Sequence, residues 1–191
     1  MEQQIHATDI AAYLIRQCAD ENTPLTQLSL QKMLTLCQSL YAYQHNGQSM
    51  FPEPVEAWDK GTAVRTVWNL YHQHGSHPIL HANSELRPLP DDMLNTIAQV
   101  ITETSHVSAS RLIQLTHEHG TWETHHQPHG SEEIPVAELA KAWPEYHAAI
   151  PMPVVEEVDQ TPATYHVDPI ELKKLGSIAQ SKRNIHFDFL G

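Results

Sequence analysis

The stretch from Leu28 to Tyr41 constrains the fold more than any other part of the chain. Leu30, Met33, Leu34, Cys37, Leu40 and Tyr41 recur at i, i+3, i+4 and i+7, the spacing that lines apolar side chains along one face of an α-helix. Ser29 stands in front of the stripe as an expected N-cap, and Asn46-Gly47 follows it, a pair that tolerates the positive φ with which helices end. A helix with such a stripe is stable only when packed, so the neighbouring segments must supply partners.

They do so with further helices. Thr8 or Asp9 caps an expected first helix through Ile10, Tyr13, Leu14 and Cys18, ended by Asn22-Thr23-Pro24. After Gly61 a helix carries Val64, Val67, Trp68 and Tyr71 and stops at Gly75; Asp91 or Asp92 opens another, with Met93, Ile97, Val100, Ile101 and Thr104 aligned. Ser108 caps the next, through Leu112, Ile113, Leu115 and Thr116 to Gly120, and Pro135 suits the first position of a last one with Leu139, Ala140 and Trp143 inward. The segment from Phe51 to Lys60 reads as either a strand or a single helical turn, because Pro52 and Pro54 keep its start extended. Ser76 to Pro90 reads as a loop with room for a short strand at Ile79-Leu80. The expected class is therefore all-α: a mainly helical single domain of about six helices over residues 1–149, with room for a small β-hairpin.

From Ile150 the character changes. Pro151, Pro153 and Pro162 flank Glu156, Glu157 and Asp159, which predicts an acidic, Pro-rich linker and an extended C-terminal arm over residues 150–191. Within it Asp168-Pro169 suits a helix start, and Ile185 to Leu190 alternates like a short strand.

Charge and targeting signals narrow the function classes. With 11 Lys+Arg against 23 Asp+Glu the net charge is −12, which disfavours nucleic acid and anionic membrane surfaces as partners. The start MEQQIHATDI has neither the basic nor the apolar part of a secretory signal, and no window suits a membrane span, so a cytoplasmic location is expected. Cys18 and Cys37 fit free buried thiols there, although a disulfide between the first two helices is geometrically open.

Chemistry is harder to find. The 15 histidines concentrate in His117-Glu-His119 and His125-His126-Gln-Pro-His129. The spacing does not match H-E-x-x-H, so a solvated polar loop is the simpler reading and a metal-dependent enzyme built on His117–His129 the alternative. His72, His74, His77 and His81 invite the same bland reading. There is no G-x-S-x-G elbow and no phosphate-binding glycine loop. Asp91-Asp92 and Glu132-Glu133 fall at expected helix starts, where they complement the helix dipole. Trp68 and Trp143 suit the core, while Trp58 and Trp122 lie beside turns and suit a half-buried contact position. No catalytic residue, cofactor or metal ligand emerges, and a chain of this kind is expected to act by binding, not by turnover.

Four blocks, in order, carry a family resemblance. Leu28-Ser-Leu-Gln-Lys-Met-Leu-Thr-Leu-Cys-Gln-Ser-Leu-Tyr41 resembles the "LKLQKLLYFAQ" helix of the Panacea domain, also called the SocA-like antitoxin domain. Val55 to Val64 is similar to its "IEAWxxGPVV" block, Leu115 to Trp122 to its "LTHxxxPW" block, and Asp9 to Ala19 to its "ANYFIxLA" opening. Together the resemblance covers roughly residues 5–148. Thr62 and Thr121 depart from the pattern, each standing where the family usually has Pro. The resemblance implies a helical antitoxin of a bacterial, phage or prophage toxin–antitoxin module, whose partner is a cognate toxin, with a protease or chaperone as a second partner if the toxin is handed on. It implies no catalysis and no cofactor. Gln31, Lys32, Trp58, Lys60, His117 and Trp122 are the exposed or partly exposed positions of the matched blocks and the candidates for partner contact. A DNA-binding autorepressor is a further alternative; only Lys173 to Arg183 offers it positive charge.

Overall fold

The computed structural model describes residues 4–118 and 121–151. Seven α-helices are found among them: α1 (Ala7–Asp20), α2 (Gln27–Gln44), α3 (Arg65–Tyr71), α4 (Asp91–Thr104), α5 (Ala109–Glu118), α6 (Trp122–His125) and α7 (Val136–Ala149). Three short strands, β1 (Val55–Trp58), β2 (Gly61–Ala63) and β3 (Glu132–Ile134), form an antiparallel sheet in the order β2-β1-β3. The mainly helical class is as expected, and the open reading of Phe51 to Lys60 resolves to a strand. The candidate C-terminal helix and strand, and the basic stretch from Lys173 to Arg183, lie outside the described residues.

Helix α2 is the axis of the body. It packs against α1, α3, α4, α5, α7 and β2, and every residue from Ser29 to Ala42 is buried. The single apolar stripe expected of it is thus a correction: the opposite face is buried as well. That face is polar, and three of its long polar side chains, those of Gln31, Lys32 and Gln38, satisfy backbone groups of a segment that has no complete ladder of its own. Gln31 Oε1 accepts from the Val64 N–H at 2.7 Å. Lys32 Nζ donates to the carbonyls of Lys60 at 3.0 Å and Thr62 at 2.9 Å. Thr35 donates to the Thr62 hydroxyl at 2.8 Å. Gln38 accepts from the Met50 N–H at 3.0 Å and donates to Ser49 Oγ at 2.7 Å. A three-stranded sheet this small would expose much of its backbone; the polar face of α2 is what completes it.

The N-caps expected of α1 and α2 shift by a few residues. α2 is capped by Thr26, with Ser29 at the third helical position returning the bond: Ser29 N–H to Thr26 Oγ1 at 3.2 Å, Thr26 N–H to Ser29 Oγ at 2.9 Å. α1 has His6 at its cap, and Asp9 is the third helical residue, accepting from the His6 N–H at 2.9 Å. Asn22, at φ 57°, and the Asn46-Gly47 pair, at φ 53° and 86°, end α1 and α2 as read. Ser108 Oγ accepts from the Arg111 N–H at 3.3 Å, as a cap for α5 should. Pro135 stands at the cap of α7, not inside its first turn, while Pro144 lies within α7 and cannot donate to the Ala140 carbonyl.

Two further expectations fail. Ile79-Leu80 is not a strand; Ile79 is buried in the loop and its N–H donates to the Leu25 carbonyl at 2.8 Å. Glu132-Glu133 does not start a helix but lies in β3, paired with Ala57 and Glu56 of β1. Cys18 and Cys37 are free and buried, and burial raises both thiols, that of Cys18 to about 11. No helix among the described residues is long and apolar enough to cross a membrane.

Candidate functional site

The β1–β2 turn is two residues long, Asp59-Lys60, and closes on the pair Trp58↔Gly61. Gly61 has φ +98°, and a Cβ there would overlap Lys32 Nζ and the His117 ring. The turn is therefore drawn down onto α2 as closely as backbone allows. Lys32 is fully buried beneath it. Burial favours its neutral form and lowers the ammonium to about 7. His117, at the end of α5, is also held below the usual histidine range, first by burial and second by the Lys32 charge. Its Nε2 is buried and has no hydrogen-bond partner among the described residues.

Above this pair the aromatic residues are layered. The Trp122 ring lies between two imidazoles: His117 at 4.0 Å between centroids and 3° from parallel, and His126 at 4.4 Å and 21°. Trp122 Nε1 donates to the Trp58 carbonyl at 2.8 Å, which ties α6 to the end of β1. Trp58 meets Trp68 edge-on at 5.5 Å, and Trp68 stacks on His72 at 4.4 Å. On the outer side the Arg65 guanidinium lies 4.9 Å from the Trp58 ring centroid and forks onto Glu56, with Nε 3.1 Å from Oε1. Glu56 Oε2 also accepts from Trp58 Nε1 at 2.9 Å, so the Trp58 ring is held at both its edge and its face.

The histidine loop closes the rim. Asp59 accepts from the His126 ring at 2.9 Å and from the His129 N–H at 3.0 Å, and its other oxygen lies 3.2 Å from His129 Nδ1. The His126 bond is the largest of the causes that hold the Asp59 carboxyl below its usual range. His125 turns away, to the Thr121 carbonyl at 2.9 Å and towards Glu138 at 3.6 Å. The histidines are thus spent on stacking and hydrogen bonding, and among the described residues no three His, Cys, Asp or Glu side chains gather as a metal site; His119 lies outside those residues.

The six sequence candidates come from three separate stretches and meet here, around the β1–β2 turn. Their exposure is not uniform. Lys60 is exposed, and Trp58, His117 and Trp122 are half-buried. Gln31 and Lys32 are buried, correcting the expectation that they face solvent: their polar ends serve the hairpin backbone. Trp68, expected in the core, is only half-buried and joins the aromatic layer, whereas Trp143 is buried as expected. Sequence reasoning missed Gln27, Glu56, Asp59, Gly61 and Arg65. The legible signal was Gln27-x-x-x-Gln31-Lys32: two amides four apart, hence on one helix face, beside a lysine on an otherwise apolar helix.

Residues 30–123 match the family described as antitoxin SocA-like, Panacea domain. The chain carries a Panacea domain. No curated protein and no solved structure matches it. The matched span of the Panacea domain runs from within α2 to Glu123 in α6, and so takes in the buried lysine, the β1–β2 turn and the stacked His117–Trp122 pair. Thr62 and Thr121, where the family usually has Pro, are both buried; Thr62 uses its hydroxyl to accept from Thr35. A proline there would lack that hydroxyl.

Proposed function

We propose that this chain is the antitoxin of a toxin–antitoxin module and silences a co-encoded toxin by direct protein contact, in the cytoplasm, without turnover. The Panacea domain carries this reading, since its family is an antitoxin-like one. The contact surface in this reading is the face at the β1–β2 turn, with Trp58, Lys60, His117 and Trp122 meeting the toxin and Gln31 and Lys32 holding the turn in shape from behind. Half-buried tryptophans are apt anchors: they bring large rigid area at small entropic cost. Residues 150–191 are proposed as a separate arm that adds to the same contact.

Co-expression with the neighbouring open reading frame tests the proposal. That product alone should arrest growth, this chain should restore it, and the two should co-purify. Trp58→Ala and Lys60→Glu should each weaken rescue while leaving the melting transition in place. A harmless neighbour, or rescue without any complex, would remove the basis of the reading. Toxin abundance separates the routes: unchanged toxin in rescued cells means occlusion, and loss of toxin means presentation to a protease.

A further inference from the structure

A cavity of about 450 Å³ opens beside the β1–β2 turn, walled by Gln27, Leu28, Gln31, Lys32, Trp58 and Trp68, with Lys60 and His129 also lining it. Three of its buried polar side chains share one hydrogen-bonding need. Gln31 is 2% exposed and Gln27 7%, and the Nε2 of each has no partner among the described residues. The orientation of the Gln31 amide is fixed, because its Oε1 is taken by the Val64 N–H; the free end is the NH2. In its ammonium form, which holds below a pH of about 7, Lys32 has three N–H donors and gives two to the Lys60 and Thr62 carbonyls, leaving one over. Three buried side chains on one wall therefore offer spare donors. Asp59, the carboxylate that also lines the cavity, is engaged by His126 and His129. Two indoles and a leucine supply its apolar side.

We propose that this cavity is a recognition site for a carboxylate attached to a flat or apolar body, supplied by the C-terminal residue or an acidic side chain of a partner polypeptide. The carboxylate accepts from Gln27, Gln31 and Lys32, and the body lies against Trp58 and Trp68. A polypeptide is the fitting source because Trp58 and Lys60 belong both to the cavity and to the outer face at the turn, so a chain docked on that face reaches the cavity with one residue. In its biological assignment this rests on the antitoxin reading; the site itself is tested without it.

The probes are N-acetyl-phenylalanine and its amide, which differ only in the carboxylate. Binding to the full chain is followed by NMR of the indole N–H signals. The acid should shift those of Trp58 and Trp68 saturably in the millimolar range, with the amide at least ten-fold weaker. Gln27→Met should weaken the acid several-fold without lowering the melting temperature, and Lys32→Met should abolish the preference for acid over amide. Absent shifts, equal binding of the two probes, or indifference to Gln27→Met in a folded variant would overturn the proposal. Growth rescue is measured in parallel. A chain that rescues growth yet ignores both probes overturns the cavity proposal and leaves the antitoxin reading standing. A chain that binds the acid but rescues nothing keeps the site and removes the antitoxin reading.

Discussion

Lys32 and Gly61 compete for one space: a Cβ on Gly61 would overlap the Lys32 ammonium, and the ammonium is held there by the carbonyls on either side of that glycine. The residue is glycine for two reasons at once, the lack of room and the φ of +98°. Gly61→Ala should therefore destabilise by about 2–4 kcal/mol, the strained φ accounting for about half of it. Gly47 makes the control, since it also has positive φ but nothing within 4 Å; Gly47→Ala should cost only about 1 kcal/mol. Urea unfolding of the two variants with unchanged m-values checks the difference. Equal losses would show that the close approach at Gly61 is not under compression.

The reciprocal bonds between Thr26 and Ser29 fix the start of the helix on which the whole body packs. Thr26→Ala should cost about 1 kcal/mol, which for a body of this size is about 2–4 °C in melting temperature. Thr26→Ser should keep most of it. A thermal melt of both variants decides whether the cap lies at Thr26 or, as the sequence pattern alone suggests, at Ser29.

That pattern located the helices but not their insides. Ser29 and Asp9 have the chemistry of cap residues, and in both helices they belong to the cap motif at its third position, where a side chain bonds back to the cap residue's own N–H. Composition cannot separate the two ends of a reciprocal pair. Burial of the polar face of α2 was hidden for a different reason. Hydrophobic periodicity detects apolar faces, whereas Gln31, Lys32 and Gln38 are buried to satisfy backbone groups at Val64, Lys60, Thr62 and Met50, more than ten residues away. The candidate site was legible as separate blocks because each block has a marked residue order. Its assembly was not, since the Asp59 clasp on His126 and His129 and the Trp122 bond to Trp58 join residues about seventy positions apart.

The Asp59 clasp is local, and its loss should be local. Asp59→Ala removes the acceptor of the His129 N–H and of the His126 ring, so amide exchange at His129 should accelerate while that of α2 stays slow. The bond to His126 lowers the Asp59 pKa; its contribution is present above the ordinary aspartate range and is lost as pH falls through the lowered folded value. Protection at His129 in the native chain should follow that course. Protection that survives Asp59→Ala would mean that the loop is held by its other contacts.

Lys32 makes a second pH dependence, of a less common sign. Its ammonium titrates at about 7 in the folded chain against an ordinary value of 10.5. Below 7 both folded and unfolded chains bind the proton, and the burial of a charge weighs against folding. Between 7 and 10.5 the unfolded chain still binds it and the folded chain does not, so stability rises with pH across that interval. Cys18 and Cys37, whose folded values are raised, act oppositely once pH passes the ordinary thiol value of 9.0, which leaves pH 7 to 9 as the window in which lysine dominates. Lys32→Met leaves the Lys60 and Thr62 carbonyls without that donor, an effect of about 1–3 kcal/mol, but it also removes the proton. Urea unfolding at a series of pH values should therefore show native stability climbing through the window and the Met variant nearly level. Parallel curves would place the Lys32 proton on the folded chain throughout, and with it a charge that the two carbonyls stabilise more fully than burial penalises.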